Sequence, residues 1–132
     1  MTVTTQALPI GGIELDSPVI LAPMAGVTNM PFRVLCREIE EELTGTSSGL
    51  YVCEMITSRA LVERNETTMR LIRHHESETP RSIQLYGVDP KTIAEAVRII
   101  VAEDHADNGQ HHHGCQPPDP RAGVGHLRHL AV

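Results

Sequence analysis

Three times in its first hundred residues the chain passes from a short run suited to a strand into a stretch of helical period. The runs are residues 19–22 (VILA), 50–53 (LYVC) and 81–86 (RSIQLY). The first two are continuously apolar, as expected of strands covered on both faces, and such strands belong to parallel sheets flanked by helices. Repeated strand-helix alternation restricts the layout to an α/β fold, either doubly wound or a closed eight-fold barrel, because crossovers between parallel strands keep one hand.

Each helical stretch carries its own start signal. Thr28 or Asn29 can cap the first, with Pro31 in its opening turn, and Phe32, Leu35, Cys36 and Ile39 form an apolar stripe expected to face the core. Glu40, Glu41 and Glu42 sit where the helix dipole disfavours anions, so this end is expected to fray into solvent before Gly45. The second strand is expected to end at Glu54 and Met55, and Thr57 or Ser58 caps the next helix. Its pattern of Leu61, Val62, Met69 and Ile72 is interrupted, which predicts a break at residues 65–68. Asp89 and Pro90 open the last helix, with Ile93, Ala94, Val97, Ile100 and Val101 on one face.

A fourth strand should follow, but residues 108–132 are dominated by Gly, Pro, His and Arg. A segment with so little apolar surface cannot offset the entropy of ordering it. The expected organisation is therefore a strand-helix part over residues 1–106 and an aberrant, disordered tail over 107–132. A reading-frame disruption near Asp107 and a divergent terminus both account for the tail, and the abrupt change in residue usage favours the first.

Composition narrows the function classes. The chain has 132 residues, 40% of them hydrophobic but only 2% aromatic, so the core is aliphatic and offers little stacking surface for bases. With 17 acidic against 11 basic residues the net charge is −6, which lends no support to a self-sufficient nucleic-acid binder. Cys36, Cys53 and Cys115 show no Cys-x-x-Cys spacing, so neither a disulfide framework nor a zinc knuckle is indicated. His111, His112 and His113 beside Cys115 cannot all converge on one ion, and no metal site is expected. The first residues lack a basic segment followed by a long apolar one, and no apolar run approaches the ~20 residues of a membrane helix. A soluble cytoplasmic protein with no membrane partner is the reading.

Chemistry is expected at the strand ends. Pro23, Met24, Ala25 and Gly26 are small or uncharged, so a flat cofactor can lie close to this backbone; the same residues also mark an ordinary strand-to-helix turn. Gln84 supplies an amide that both donates and accepts, matching the edge of a flavin or a pyrimidine, or it is simply a polar residue at a strand end.

Taken in order, LAPMAGVTNMPFR at 21–33, YVCEMITSRAL at 51–61 and SIQLYGVDP at 82–90 resemble the tRNA-dihydrouridine synthases, near their bacterial branch, over residues 10–105. The resemblance implies an FMN-bearing TIM (β/α)8 barrel followed by a small helical domain that helps hold tRNA. Pro23, Met24 and Ala25 match the first flavin-contacting turn, and Gln84 matches the residue bonded to the isoalloxazine ring. The family's catalytic cysteine lies in an asparagine-x-glycine-cysteine-proline loop, which Cys115 matches in part, since His112 replaces the asparagine and Gln116 the proline. The implied reaction uses NADPH to reduce FMN, which passes hydride to carbon 6 of a tRNA uridine, and the cysteine then protonates carbon 5.

A whole barrel of this type takes about 250 residues, so a barrel truncated after about three strand-helix units is expected here. Its open edges invite self-association. Two other readings stand beside it, a flavin-barrel oxidoreductase acting on a small molecule and a non-catalytic half-barrel.

Overall fold

The computed structural model describes residues 7–10, 13–107 and 130–131. An antiparallel pair, β1 (Leu8–Ile10) and β2 (Ile13–Leu15), comes first. Sequence reasoning passed over this hairpin, although the short segments LPI and IEL flank Gly11 and Gly12. Then follow β3 (Ile20–Leu21), α1 (Met30–Thr44), β4 (Leu50–Thr57), α2 (Ser58–Val62), α3 (Glu66–Leu71), β5 (Ser82–Tyr86) and α4 (Pro90–Ala102). The strands β3, β4 and β5 are parallel neighbours in that order, so the α/β alternation is present as expected. Last comes β6 (Leu130–Ala131), which pairs antiparallel with β5 at Gln84 and Leu85. The described strands form two open sheets, the β1-β2 pair and the four-stranded β3-β4-β5-β6, rather than a closed barrel.

The helix starts follow the predicted chemistry. Asn29 caps α1 by accepting from the Phe32 amide, with Pro31 in the first turn, and Asp89 caps α4 by accepting from the Thr92 amide at 2.8 Å. Asn65 caps α3, so the interruption falls at residues 63–65, ahead of the predicted 65–68. Ile83 and Leu85 on β5 pack with Cys53 and Ile56 on β4, Leu61, Ile72, and Ala96 and Ile100 on α4 to make the main core.

Two expectations about α1 fail. The face turned inward carries Arg33 and Arg37, while Leu35 and Ile39 are about half exposed and Leu43 is 79% exposed. Arginine is buried here because each guanidinium finds polar partners on the neighbouring loops. Arg37 donates to Ser47 Oγ and to the Thr79 carbonyl and lies 5.3 Å above the centre of the Tyr51 ring. The helix also does not fray at its glutamates: it runs through Thr44 and closes at Gly45, whose φ of +81° suits glycine and whose N–H reaches the Glu41 carbonyl at 2.8 Å. Glu40 is not a solvated charge, since it accepts from the Tyr51 hydroxyl and from the Gly49 N–H. Burial and that carboxylate together hold the Tyr51 phenol well above its ordinary pKa.

The second strand also outruns its prediction, because β4 continues through Glu54 and Met55 to Thr57. In the ladder with β5, Cys53 lies opposite Ile83 but Ile56 lies opposite Leu85, so β4 carries an extra residue at 54–55.

Gly87, just past β5, sits at a crowded junction. A Cβ there would lie 2.9 Å from Ile93 Cγ1 and 3.1 Å from Ser58 Oγ. Gly87→Ala is therefore expected to cost about 1–3 kcal/mol by overpacking the seam between β5 and the helices, read as a lowered urea midpoint. A midpoint equal to that of the unmodified chain would show that the seam relaxes freely.

Candidate functional site

Parallel strands bring their carboxyl ends to one edge of the sheet, and the turn after β3 lies on that edge. The turn folds around the Met24 carbonyl, which accepts from the Val27 and Thr28 amides, both at 3.0 Å, and from the Thr28 hydroxyl at 3.2 Å. Thr28 Oγ1 accepts in return from the Met24 N–H at 2.9 Å. Gly26 adopts φ +72°, a conformation that glycine takes without strain, and its N–H donates to Glu54 Oε2 at 2.8 Å. The turn is thus tied to the bulge of β4 across 28 residues of sequence.

A second tie comes from below. Arg33 Nη1 donates to the Thr28 carbonyl at 2.8 Å. The rest of its guanidinium grips Glu78, with Nε to Oε1 at 2.6 Å and Nη2 to Oε2 at 3.1 Å, and Nη2 also reaches the Arg73 carbonyl at 3.1 Å. Glu78 Oε2 further accepts from the His75 amide at 2.8 Å. Both side chains are out of water, Arg33 at 0% and Glu78 at 2% exposure. The pair is satisfied on almost every polar atom, the condition under which a buried charge is tolerated.

Held in this way, residues 23–26 turn small or uncharged side chains outward. Pro23 is half-buried, Met24 is 41% exposed and Ala25 is exposed. Gln84 lies on β5 between Ile83 and Leu85, which point to the helices, so strand alternation puts its amide on the sheet face away from them. Register sets Gln84 beside the bulge that carries Glu54. Three of the predicted residues therefore share the turn, and the fourth lies on β5 beside the bulge of β4 that carries Glu54. Cys115 lies outside the described residues.

The other thiols are placed elsewhere. Cys53 faces the helices, its Sγ 3.3 Å from the Leu71 carbonyl, and burial pushes its pKa up to about 11, so it stays a neutral thiol. Cys36 is half-buried on α1. Among the described residues no group of three His, Cys, Asp or Glu side chains is arranged to hold a metal ion. Nor is any described helix long and apolar enough to cross a membrane.

A hollow of about 510 Å³ opens apart from this turn, among Met30, Arg73, His74, His75, Arg81 and Asp104. Most of its polar groups are engaged in holding the fold, although His74 Nε2 is buried without a hydrogen-bond partner among the described residues. Arg81 is shared between Asp104 and Asp107, and burial, with Arg33 nearby, lowers the His74 pKa to about 4, leaving it neutral.

Sequence reasoning missed Glu54 and Glu78 and treated Thr28 only as a capping candidate. A charge inside the apolar run LYVCEMI was the available sign for Glu54; Glu78 had none, because its partner is 45 residues away.

Comparison with known proteins gives a consistent result. The model of the dihydrouridine synthase family (Dus) matches residues 20–115. A probable tRNA-dihydrouridine synthase of Mycobacterium tuberculosis is 56% identical over 114 residues, 86% of this chain and 29% of that protein. Its counterpart in Mycobacterium leprae is 45% identical over 118 residues, 75% of this chain and 31% of that protein. The tRNA-dihydrouridine synthase B of Pseudomonas aeruginosa is 44% identical over 90 residues, 67% of this chain and 25% of that protein. The chain thus spans less than a third of the length of these relatives. No solved structure gives a significant match.

Proposed function

Because the chain belongs to the dihydrouridine synthase family, we propose that it supplies the opening strand-helix units of a TIM-type flavin barrel that reduces uridine in tRNA to 5,6-dihydrouridine. The observation that carries this reading is the shared sheet edge: an outward turn of small or uncharged residues, tied from two sides, with the Gln84 amide on the adjoining face.

That surface fits FMN in two respects. Small or uncharged side chains at Pro23, Met24 and Ala25 allow a flat ring system to approach closely, and Gln84 can donate to and accept from a polar ring edge. The chemistry FMN supplies when bound is hydride transfer, taken from NADPH and delivered to carbon 6 of the uridine. Residues 23–25 bear on the ring, Gln84 orients it, and Cys115, as a neutral thiol, delivers the proton to carbon 5. A cytoplasmic setting and tRNA as the partner belong to the same reading.

An absorbance scan tests it directly. The purified chain should take up FMN and keep the flavin bands after gel filtration, and Gln84→Leu should weaken FMN binding by about tenfold, the equivalent of one lost hydrogen bond to a buried polar edge. A colourless chain that ignores added FMN would favour the non-catalytic half-barrel.

A further inference from the structure

We infer that Glu54 is a positioning residue for the ligand turn, fixing how Pro23, Met24 and Ala25 face the ligand bound beside Gln84. The inference rests on reading that turn as an FMN contact. The turn's own hydrogen bonds close around Met24 and Thr28 and leave the Gly26 N–H outside the ring they make. That N–H has its partner in Glu54 Oε2, at 2.8 Å.

Several features set Glu54 apart from an ordinary sheet residue. It is only 7% exposed, and a carboxylate so withdrawn from water needs compensating bonds. Among the described residues it forms no ion pair, so no surface charge network explains it. It sits in the bulge of β4, an irregularity that re-aims a side chain, and the bulge lies opposite Gln84. One local distortion therefore sets both the latch on Gly26 and the strand backbone beside the amide. A charge-assisted bond to a backbone N–H is roughly twice as strong as a neutral one, enough to hold a residue of positive φ in one orientation.

The test uses the full chain and two readouts. Hydrogen exchange of the Gly26 amide reports the latch, and quenching of flavin emission reports FMN affinity. In Glu54→Ala, Gly26 exchange should rise about tenfold or more and FMN binding should weaken at least about fivefold, while the Ile83 and Leu85 amides stay as protected as before. Glu54→Gln keeps an acceptor oxygen at the same reach but loses the charge, so both readouts should fall between those of the unmodified chain and the alanine variant. Glu54→Asp, one methylene shorter, should behave like the alanine variant at Gly26 and guards against unfolding of the alanine protein. Unchanged Gly26 exchange in the alanine and aspartate variants overturns the inference, as does faster exchange with unchanged FMN affinity. If the unmodified chain takes up no FMN, the flavin reading fails, and Gly26 exchange alone then decides whether Glu54 latches the turn.

Discussion

Replacing Glu78 with alanine is expected to lower folding stability by about 3–5 kcal/mol, because it strands the Arg33 guanidinium in the interior. Arg33 has no exposed surface, and Glu78 takes two of its hydrogen bonds. The remaining acceptors are the Thr28 and Arg73 carbonyls, neither of which carries the opposing charge. The His75 amide loses its acceptor in the same step. Urea denaturation followed by circular dichroism measures the effect, and a loss under about 1 kcal/mol would mean that Arg33 reaches water once its partner is gone. The double variant Arg33→Met, Glu78→Leu separates charge from packing. It should recover much of the loss, since well-packed apolar pairs often match or exceed a buried ion pair. Glu78→Ala should also loosen the Thr28 carbonyl, and with it the turn that Thr28 closes.

Ile83→Ala is the second large effect, expected at about 2–5 kcal/mol. Ile83 is fully buried on the strand between β4 and β6, and it packs into the cluster that includes Cys53, Ile56, Ala96 and Ile100. Truncation leaves a cavity bounded by a strand on each side and by α4, elements that cannot close in without breaking ladder bonds. Ile83→Val removes one methyl and should cost about 0.5–1.5 kcal/mol, so the two variants give a graded series. Domains of this size hold only about 5–15 kcal/mol in total, so the alanine variant should be largely unfolded in mild denaturant. Equal urea midpoints for the alanine and valine variants would contradict a tightly packed site at this position.

Much of the fold was legible because its signals are local. Asn29 before Met30-Pro31 and Asp89 before Pro90 mark helix starts through side chains that reach an amide three residues ahead, and both caps form. The short runs mark strands, and β3, β4 and β5 fall where the runs are, but the expected cover holds for β4 and not for the first run, where Val19 is 64% and Ile20 44% exposed. The orientation of α1 was not legible. Helical periodicity locates an apolar stripe but cannot reveal that the arginines on the other side find buried acceptors on loops at residues 73–79. The hairpin of β1 and β2 escaped for a different reason, since strands of three residues are too short for a period to register.

For the site, residue types in LAPMAGVTNMPFR and at Gln84 were enough to single out a turn and an amide, because small residues and a polar residue inside a strand are visible one at a time. Their support was not. Glu54 meets Gly26 across 28 residues, and Arg33 meets Glu78 across 45, through a bulge and a loop whose shapes depend on how the sheet and helices pack. Local chemistry, acting over three or four residues, is written into the order of the amino acids. The burial of a charge, the aim of a carboxylate and the conformation of Gly26 arise only when distant segments exclude water from between them, so they belong to the folded chain as a whole.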